Sequence, residues 1–339
     1  MEYRTLGGSG ASVSTLCLGT MTFGNESDES VSHSQLDRYL ELGGNFIDTA
    51  NVYSRGVSEQ IIGNWLAARK GVRDQVVIAT KGRFAAADDR NDVGLSRVNL
   101  TRSLDASLRR LGVETIDLYQ AHAFDAHTPL EETLRFFDDA VSAGKIRYAG
   151  VSNFIGWQLQ KAATTAHFRG WTPIVTLQPQ YNLIVRDIEF EVVPVCENER
   201  IGILPWSPLA GGWLTGKYQR DSVPKGQTRL GENPERGMEA YGPRNEQERT
   251  WRIIDAVKDV AAARGVSMAQ IALAWLVDRP AVSSVILGAR TVDQLEDNLG
   301  AADLHLTAEE TTRLSEASAP IVSDYPYGGP GVGQRSRNL

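Results

Sequence analysis

Short apolar runs alternate with amphipathic stretches eight times along 339 residues, and this constrains the chain more than any other feature. The apolar runs fall at 13–19, 45–50, 75–81, 116–122, 146–152, 174–180, 201–207 and 282–288. Helical periodicity occupies 30–42, 57–69, 96–110, 130–143, 156–167, 189–199 and 266–278, with 292–300 following the last run. Strands alternating with helices imply right-handed βαβ crossovers and a parallel sheet. The runs are continuously apolar, as in Val76-Val77-Ile78-Ala79, which fits strands buried on both faces. An open, doubly wound sheet and a closed barrel both satisfy this pattern. No Gly-x-Gly-x-x-Gly joins a strand to a helix, which weighs against the open dinucleotide-binding sheet. The expected fold is therefore α/β, a (β/α)8 TIM barrel that takes residues 1–339 as a single domain.

Two additions decorate the expected barrel. Residues 3–15, centred on Gly7-Gly8-Ser9-Gly10, read as an N-terminal β-hairpin. Residues 218–245 form a long Gly/Pro/Asn/Arg-rich loop after strand seven, long enough to suggest a functional loop. The tail from Pro320, with Tyr325 and Tyr327, is either loose or draped over the barrel mouth. Trp65, Trp157 and Trp275 sit on helical patterns and are expected to pack the barrel against its helices. Phe23, Phe84, Phe124 and Trp213 fall in mouth-side loops, so some of them are expected to wall a substrate pocket.

The net charge of −7 argues against a nucleic-acid or anionic-membrane surface. The opening Met1-Glu2-Tyr3-Arg4 lacks the basic and apolar regions of a signal peptide, and no apolar run approaches a membrane span. Cys17 and Cys196 fall in predicted core elements, so no disulfide framework is expected. The expected location is cytoplasmic. Nothing resembles a coiled-coil seam, and the pattern leaves the oligomeric state open.

Residues just past the C-terminal ends of barrel strands converge on one mouth, where chemistry occurs. Strand two ends Ile47-Asp48-Thr49-Ala50, with Tyr53 one turn later; strand three ends Thr80-Lys81; strand four ends Gln120-Ala121-His122. Asp48, Tyr53, Lys81 and His122 should therefore face one another. A carbonyl accepting hydride develops alkoxide character and needs a proton donor within reach. Tyrosine is a weak acid, with an unperturbed pKa near ~10. A neighbouring ammonium, Lys81, would lower it; Asp48 would hold Lys81, and His122 would give the oxygen a second hydrogen bond. No Gly-x-Ser-x-Gly elbow supports a hydrolase. Neither His-Glu-x-x-His nor Cys-x-x-Cys supports a metal site. Gly211 to Lys217 spells Gly-x-x-x-x-Gly-Lys, but Tyr218 stands where a P-loop needs Ser or Thr.

Several motifs in one order carry a family resemblance. Asp48-Thr49-Ala50-Asn51-Val52-Tyr53, Thr80-Lys81, Gln120-Ala121-His122, Gly150-Val151-Ser152-Asn153-Phe154, Gln178-Pro179-Gln180-Tyr181-Asn182 and Trp206-Ser207-Pro208-Leu209 strongly resemble the aldo-keto reductase superfamily. The resemblance runs from Tyr3 to about Ala317 and is nearest the bacterial branch related to potassium-channel β subunits. It implies a soluble oxidoreductase that uses NADPH/NADP+ to reduce small aldehydes or ketones, such as aromatic aldehydes, diketones or sugars.

The resemblance implies that Tyr53 is the general acid, supported by Lys81, Asp48 and His122. Gly19, Thr20 and Met21, with Asp48, would lie near the nicotinamide ribose. Ser152, Asn153 and Gln178 would hold the carboxamide, and Trp206 would stack on the ring. Ser207, Pro208, Leu209, Gly211 and Lys217 would line the pyrophosphate path. Gly288, Arg290, Gln294 and Asn298 would take the adenosine end. A guanidinium such as that of Arg290 suits the 2′-phosphate that only NADPH carries. Two other readings stay open: a regulatory subunit that binds NADPH with little turnover, and an isomerase or lyase that uses Lys81 as a Schiff base.

Overall fold

In the computed structural model, residues 1–85, 89–226 and 228–333 are described. Gln227 of the 218–245 insertion and residues 334–339 of the tail lie outside them. Strands β1 (Tyr3–Thr5) and β2 (Ser12–Ser14) pair antiparallel as the expected hairpin. Eight strands then pair in parallel: β3 (Leu16–Gly19), β4 (Phe46–Asp48), β5 (Val77–Gly82), β6 (Ile116–Ala121), β7 (Ile146–Ser152), β8 (Ile174–Gln178), β9 (Gly202–Ile203) and β10 (Val285–Leu287). Their order is β10-β3-β4-β5-β6-β7-β8-β9, so each strand sits beside its predecessor, as in a barrel. The two edges meet through a parallel bridge between Ile203 and Val282. Ser283 N also donates to Ile203 O at 3.0 Å, and Ile286 N to Pro205 O at 3.0 Å. These contacts join the two edge strands of the eight-stranded sheet into a barrel.

Helices α1 (Glu29–Glu41), α2 (Val57–Ala68), α3 (Arg97–Leu111), α4 (Leu130–Ser142), α5 (Gly156–Arg169) and α6 (Val192–Glu199) follow the successive strands. Their ends are chemically marked. The Ser96 hydroxyl caps α3 by accepting from Asn99 N, and Gly112 in the left-handed conformation stops it. Short helices α7 (Arg229–Glu232) and α8 (Tyr241–Asn245) lie in the insertion. After them come α9 (Glu248–Arg264), α10 (Met268–Val277), α11 (Val292–Leu299), α12 (Ala308–Ala317) and α13 (Gly329–Gly333). The pattern of one helix per strand does not predict α9 or α12. These two helices pack on each other, outside the regular repeat.

Cys17, Phe46, Ala79, Leu118, Val175, Leu204 and Ile286 form one apolar cluster of the barrel strands, and Leu6 and Val13 of the hairpin segment join it. Both cysteines are buried and unpaired by disulfide. Trp65 and Trp275 are fully buried, as expected of helix packing. Trp157 is not: it is 56% exposed and meets Phe124 edge-on at 5.6 Å. Phe23 and Trp213 are fully buried core residues rather than pocket walls. Trp213 stacks on Tyr241 at 5.4 Å, touches Tyr218 and Trp251 edge-on, and donates from Nε1 to Glu239 O. This aromatic cluster fastens the insertion to the barrel. In the tail, Tyr327 stacks on Phe190 at 5.1 Å and hydrogen-bonds Glu191, whereas Tyr325 is exposed. No single helix among the described residues is long and apolar enough to cross a membrane.

Hairpin docking depends on one glycine. Gly7 has φ +56°, and a Cβ there would overlap the Val175 carbonyl and sit 2.7 Å from Gly202 N. Gly7→Ala should therefore cost about 3 kcal/mol of stability, whereas Gly10→Ala, with open space around it, should be near neutral. Denaturant midpoints of the two variants test this; equal midpoints would show that the hairpin is not docked this way.

Candidate active site

The register of the barrel sets which side chains meet. Asp48 pairs with Ala79, and Lys81 pairs with Gln120, so the ends of β4, β5 and β6 stand at one level. Lys81 is fully buried. Its Nζ donates to Asp48 Oδ1 at 2.5 Å, to Thr49 O at 2.7 Å and to Tyr53 Oη at 3.3 Å. The other Asp48 oxygen accepts from Gln178 Nε2 at 2.9 Å and from Gln120 Nε2 at 3.2 Å. Each ion is thus multiply hydrogen-bonded, the condition under which a buried pair is tolerated. The Tyr53 ring meets His122 edge-on at 6.0 Å, and Phe84 meets His122 at 4.8 Å. The four expected catalytic residues converge.

Their electrostatics differ in one respect from expectation. Burial pushes the Tyr53 phenol up, Lys81 pulls it down, and burial prevails. The phenol therefore holds its proton through neutral pH, while Lys81 lowers the cost of giving it up. For Lys81, burial works against the ammonium, but Asp48 and Tyr53 outweigh it and raise the pKa. His122 is held well below its ordinary value by burial and then by the charges of Lys81 and Arg83, so the imidazole is neutral. Its Nδ1 is buried without a partner among the described residues.

A cavity of about 720 Å³ opens from this centre and runs across the barrel mouth. Every expected cofactor residue lines it: Gly19, Thr20, Met21 and Asp48; Ser152, Asn153 and Gln178; Trp206, Ser207, Pro208, Leu209, Gly211 and Lys217; Gly288, Arg290, Gln294 and Asn298. Tyr53 and His122 line it too, while Lys81 lies behind them. Asn153, at φ +57°, ties three walls together. Its Nδ2 donates to His122 O and Ser152 Oγ, and its Oδ1 accepts from Trp206 Nε1 at 3.0 Å. Ser207, Ala210, Gly211 and Gly212 all have positive φ, which folds the chain tightly along the groove. Gln178 spends its Nε2 on Asp48, and Ser152 Oγ donates to Gln178 O at 2.8 Å. The Ser207 hydroxyl hydrogen-bonds Glu239 of the insertion.

Some residues were not legible beforehand. Gln120 orients Asp48 from within a strand, and only the barrel register reveals it. Behind the site, Glu59 accepts from Thr80 Oγ1 at 2.6 Å and pairs with Arg110 at 2.6 Å, bracing the strand that carries Lys81. Glu26, Arg229, Arg236 and Glu239 also line the cavity. Glu26 comes from the segment after β3 and the other three from the 218–245 insertion, and none carries a periodic signal.

A dinucleotide fits this set of groups. The cavity lining offers amides and hydroxyls (Ser152, Asn153, Gln178), an indole (Trp206) and the cations Lys217 and Arg290. Burial and the Arg290 charge together depress Lys217, as expected of cations gathered at one anion subsite.

Comparison with known proteins agrees. A model described as the aldo/keto reductase family matches residues 15–319. An uncharacterised oxidoreductase of Bacillus subtilis is 37% identical over 324 residues, covering 93% of this chain and 95% of its own. A versiconal hemiacetal acetate reductase of Aspergillus parasiticus is 34% identical, covering 94% and 98%. A probable voltage-gated potassium channel subunit beta of Arabidopsis thaliana is 36% identical, covering 90% and 92%. With this coverage, the chain is an oxidoreductase that belongs to the aldo/keto reductase family.

Proposed function

We propose that this chain, as one barrel domain, reduces aldehydes or ketones with NADPH, and that Tyr53 supplies the proton. The observation that carries the reading is the continuity of the cavity. One cavity of about 720 Å³ is lined both by Tyr53 and His122 and by Lys217 and Arg290, so a single ligand can touch both sets. Bound there, the nicotinamide would supply the hydride.

The residues perform the rest. Tyr53 holds a proton because burial raises its phenol, and it gives that proton to the substrate oxygen as negative charge develops. Lys81, 3.3 Å away, offsets the phenolate left behind. Asp48 keeps Lys81 charged and aimed, and solvent returns the proton to Tyr53. Neutral His122 gives the same substrate oxygen a second hydrogen bond, which strengthens as alkoxide forms. Gln178, with Nε2 committed to Asp48, offers its Oε1 to the carboxamide, and Trp206 flanks the ring. Arg290 pairs with the 2′-phosphate. The complete catalytic set favours turnover over the regulatory role that the name of the Arabidopsis relative suggests for that protein.

Tyr53→Phe should lower kcat for carbonyl reduction by about 10²–10⁴-fold, with NADPH affinity changed by less than about threefold. Wild-type kcat in this variant would remove Tyr53 as the acid. The pH–rate profile should show no inflection between about 5.5 and 7.5, where an ordinary histidine titrates, because His122 is already neutral there. A midpoint in that window that vanishes in His122→Gln would contradict the assignment. Arg290→Ala should weaken NADPH by about 10–100-fold and NADH by far less. Equal losses would place the guanidinium elsewhere on the cofactor.

A further inference from the structure

The guanidinium proposed to read the 2′-phosphate is already engaged by carboxylates. Arg290 Nη1 donates to Glu232 Oε1 at 2.7 Å, and Nη2 to Glu232 Oε2 at 2.9 Å, a bidentate pair. Glu26 stands 3.7 Å from the same guanidinium and 3.6 Å from Arg236. Glu232 comes from α7 in the insertion, whereas Arg290 follows β10 and lines the cavity, so the pair ties the insertion to a cavity-lining cation.

We propose that Glu232 is a specificity-determining residue. By holding Arg290, it sets how strongly this chain discriminates NADPH from NADH. The inference rests on the reading of the cavity as a dinucleotide groove.

The physical reason is a competition. A 2′-phosphate that pairs with Arg290 Nη1 and Nη2 competes with Glu232 for them, and Glu26 adds a second negative carboxylate close by. A ribose 2′-hydroxyl meets the opposite situation. It leaves the ion pair intact and can itself donate to a carboxylate, the contact by which acidic residues favour NADH. Glu232 therefore opposes NADPH and tolerates NADH, while Arg290 does the reverse. The Arg290 side chain is 23% and that of Glu232 45% exposed, so solvent screens the pair and a dianionic phosphate can still displace it. The outcome is a cofactor preference reduced below what Arg290 alone would give.

The test is calorimetric binding of adenosine 2′,5′-bisphosphate and of 5′-AMP to the full chain. Wild type, Glu232→Gln, Arg290→Ala and the double variant are compared. Glu232→Gln should tighten the bisphosphate by about fivefold to tenfold and leave 5′-AMP within about twofold, raising the ratio of affinities. In the Arg290→Ala background, the same change should move the ratio by less than about twofold, since its target is gone. Glu26→Gln, acting from 3.7 Å, should shift the ratio in the same direction by less. An unchanged ratio in Glu232→Gln would overturn the proposal. So would equal gains for both ligands, which would mark Glu232 as a simple obstruction. If wild type binds neither ligand at millimolar concentration, the dinucleotide reading of the groove fails as well, an outcome separate from the other two.

Discussion

The arrangement at the barrel mouth depends on a buried ion pair. Lys81 and Asp48 are both almost completely removed from water, and neither could remain charged there alone. Their pairing is over-determined: Thr49 O and Tyr53 Oη share the ammonium, and two glutamine amides from β6 and β8 hold the carboxylate. Removing one partner of such a pair typically costs about 3–5 kcal/mol, because the other charge is left uncompensated. The barrel thus commits stability to a cation beside Tyr53. In the proposed reaction, the same pair would help the Tyr53 phenol act as an acid.

The wall opposite the barrel strands is made of different material. It is a long insertion held by aromatic packing and salt links. Trp213, Tyr218, Tyr241 and Trp251 form its anchor, and Glu232 and Glu239 reach from it to Arg290 and Ser207. The strand ends give geometry fixed by backbone hydrogen bonds, whereas the insertion gives charge on a segment attached at a few points.

Much of this was legible in sequence because barrel topology converts strand ends into a list of neighbours. Asp48, Tyr53, Lys81 and His122 were readable at the ends of successive strands, and the structure brings them together. The residues from Ser152 to Asn298 came instead from the family resemblance of their motifs, and the structure lines one cavity with them. Helices α9 and α12 were missed, because they lie outside the one-strand, one-helix repeat. Trp157 was misassigned to packing, since helical spacing tells nothing about which face another element covers.

What the sequence determined by itself is the order of elements, the level at which they end and the chemistry carried at those ends. These follow from local periodicity and from residue types at strand termini. Only the tertiary structure decided that burial outweighs Lys81 at the Tyr53 phenol and that Gln178 and Gln120 serve Asp48. Only it showed that Arg290 is held by a carboxylate 58 residues away in the chain. These results depend on desolvation and on distances between segments remote in sequence, and both arise when the barrel closes.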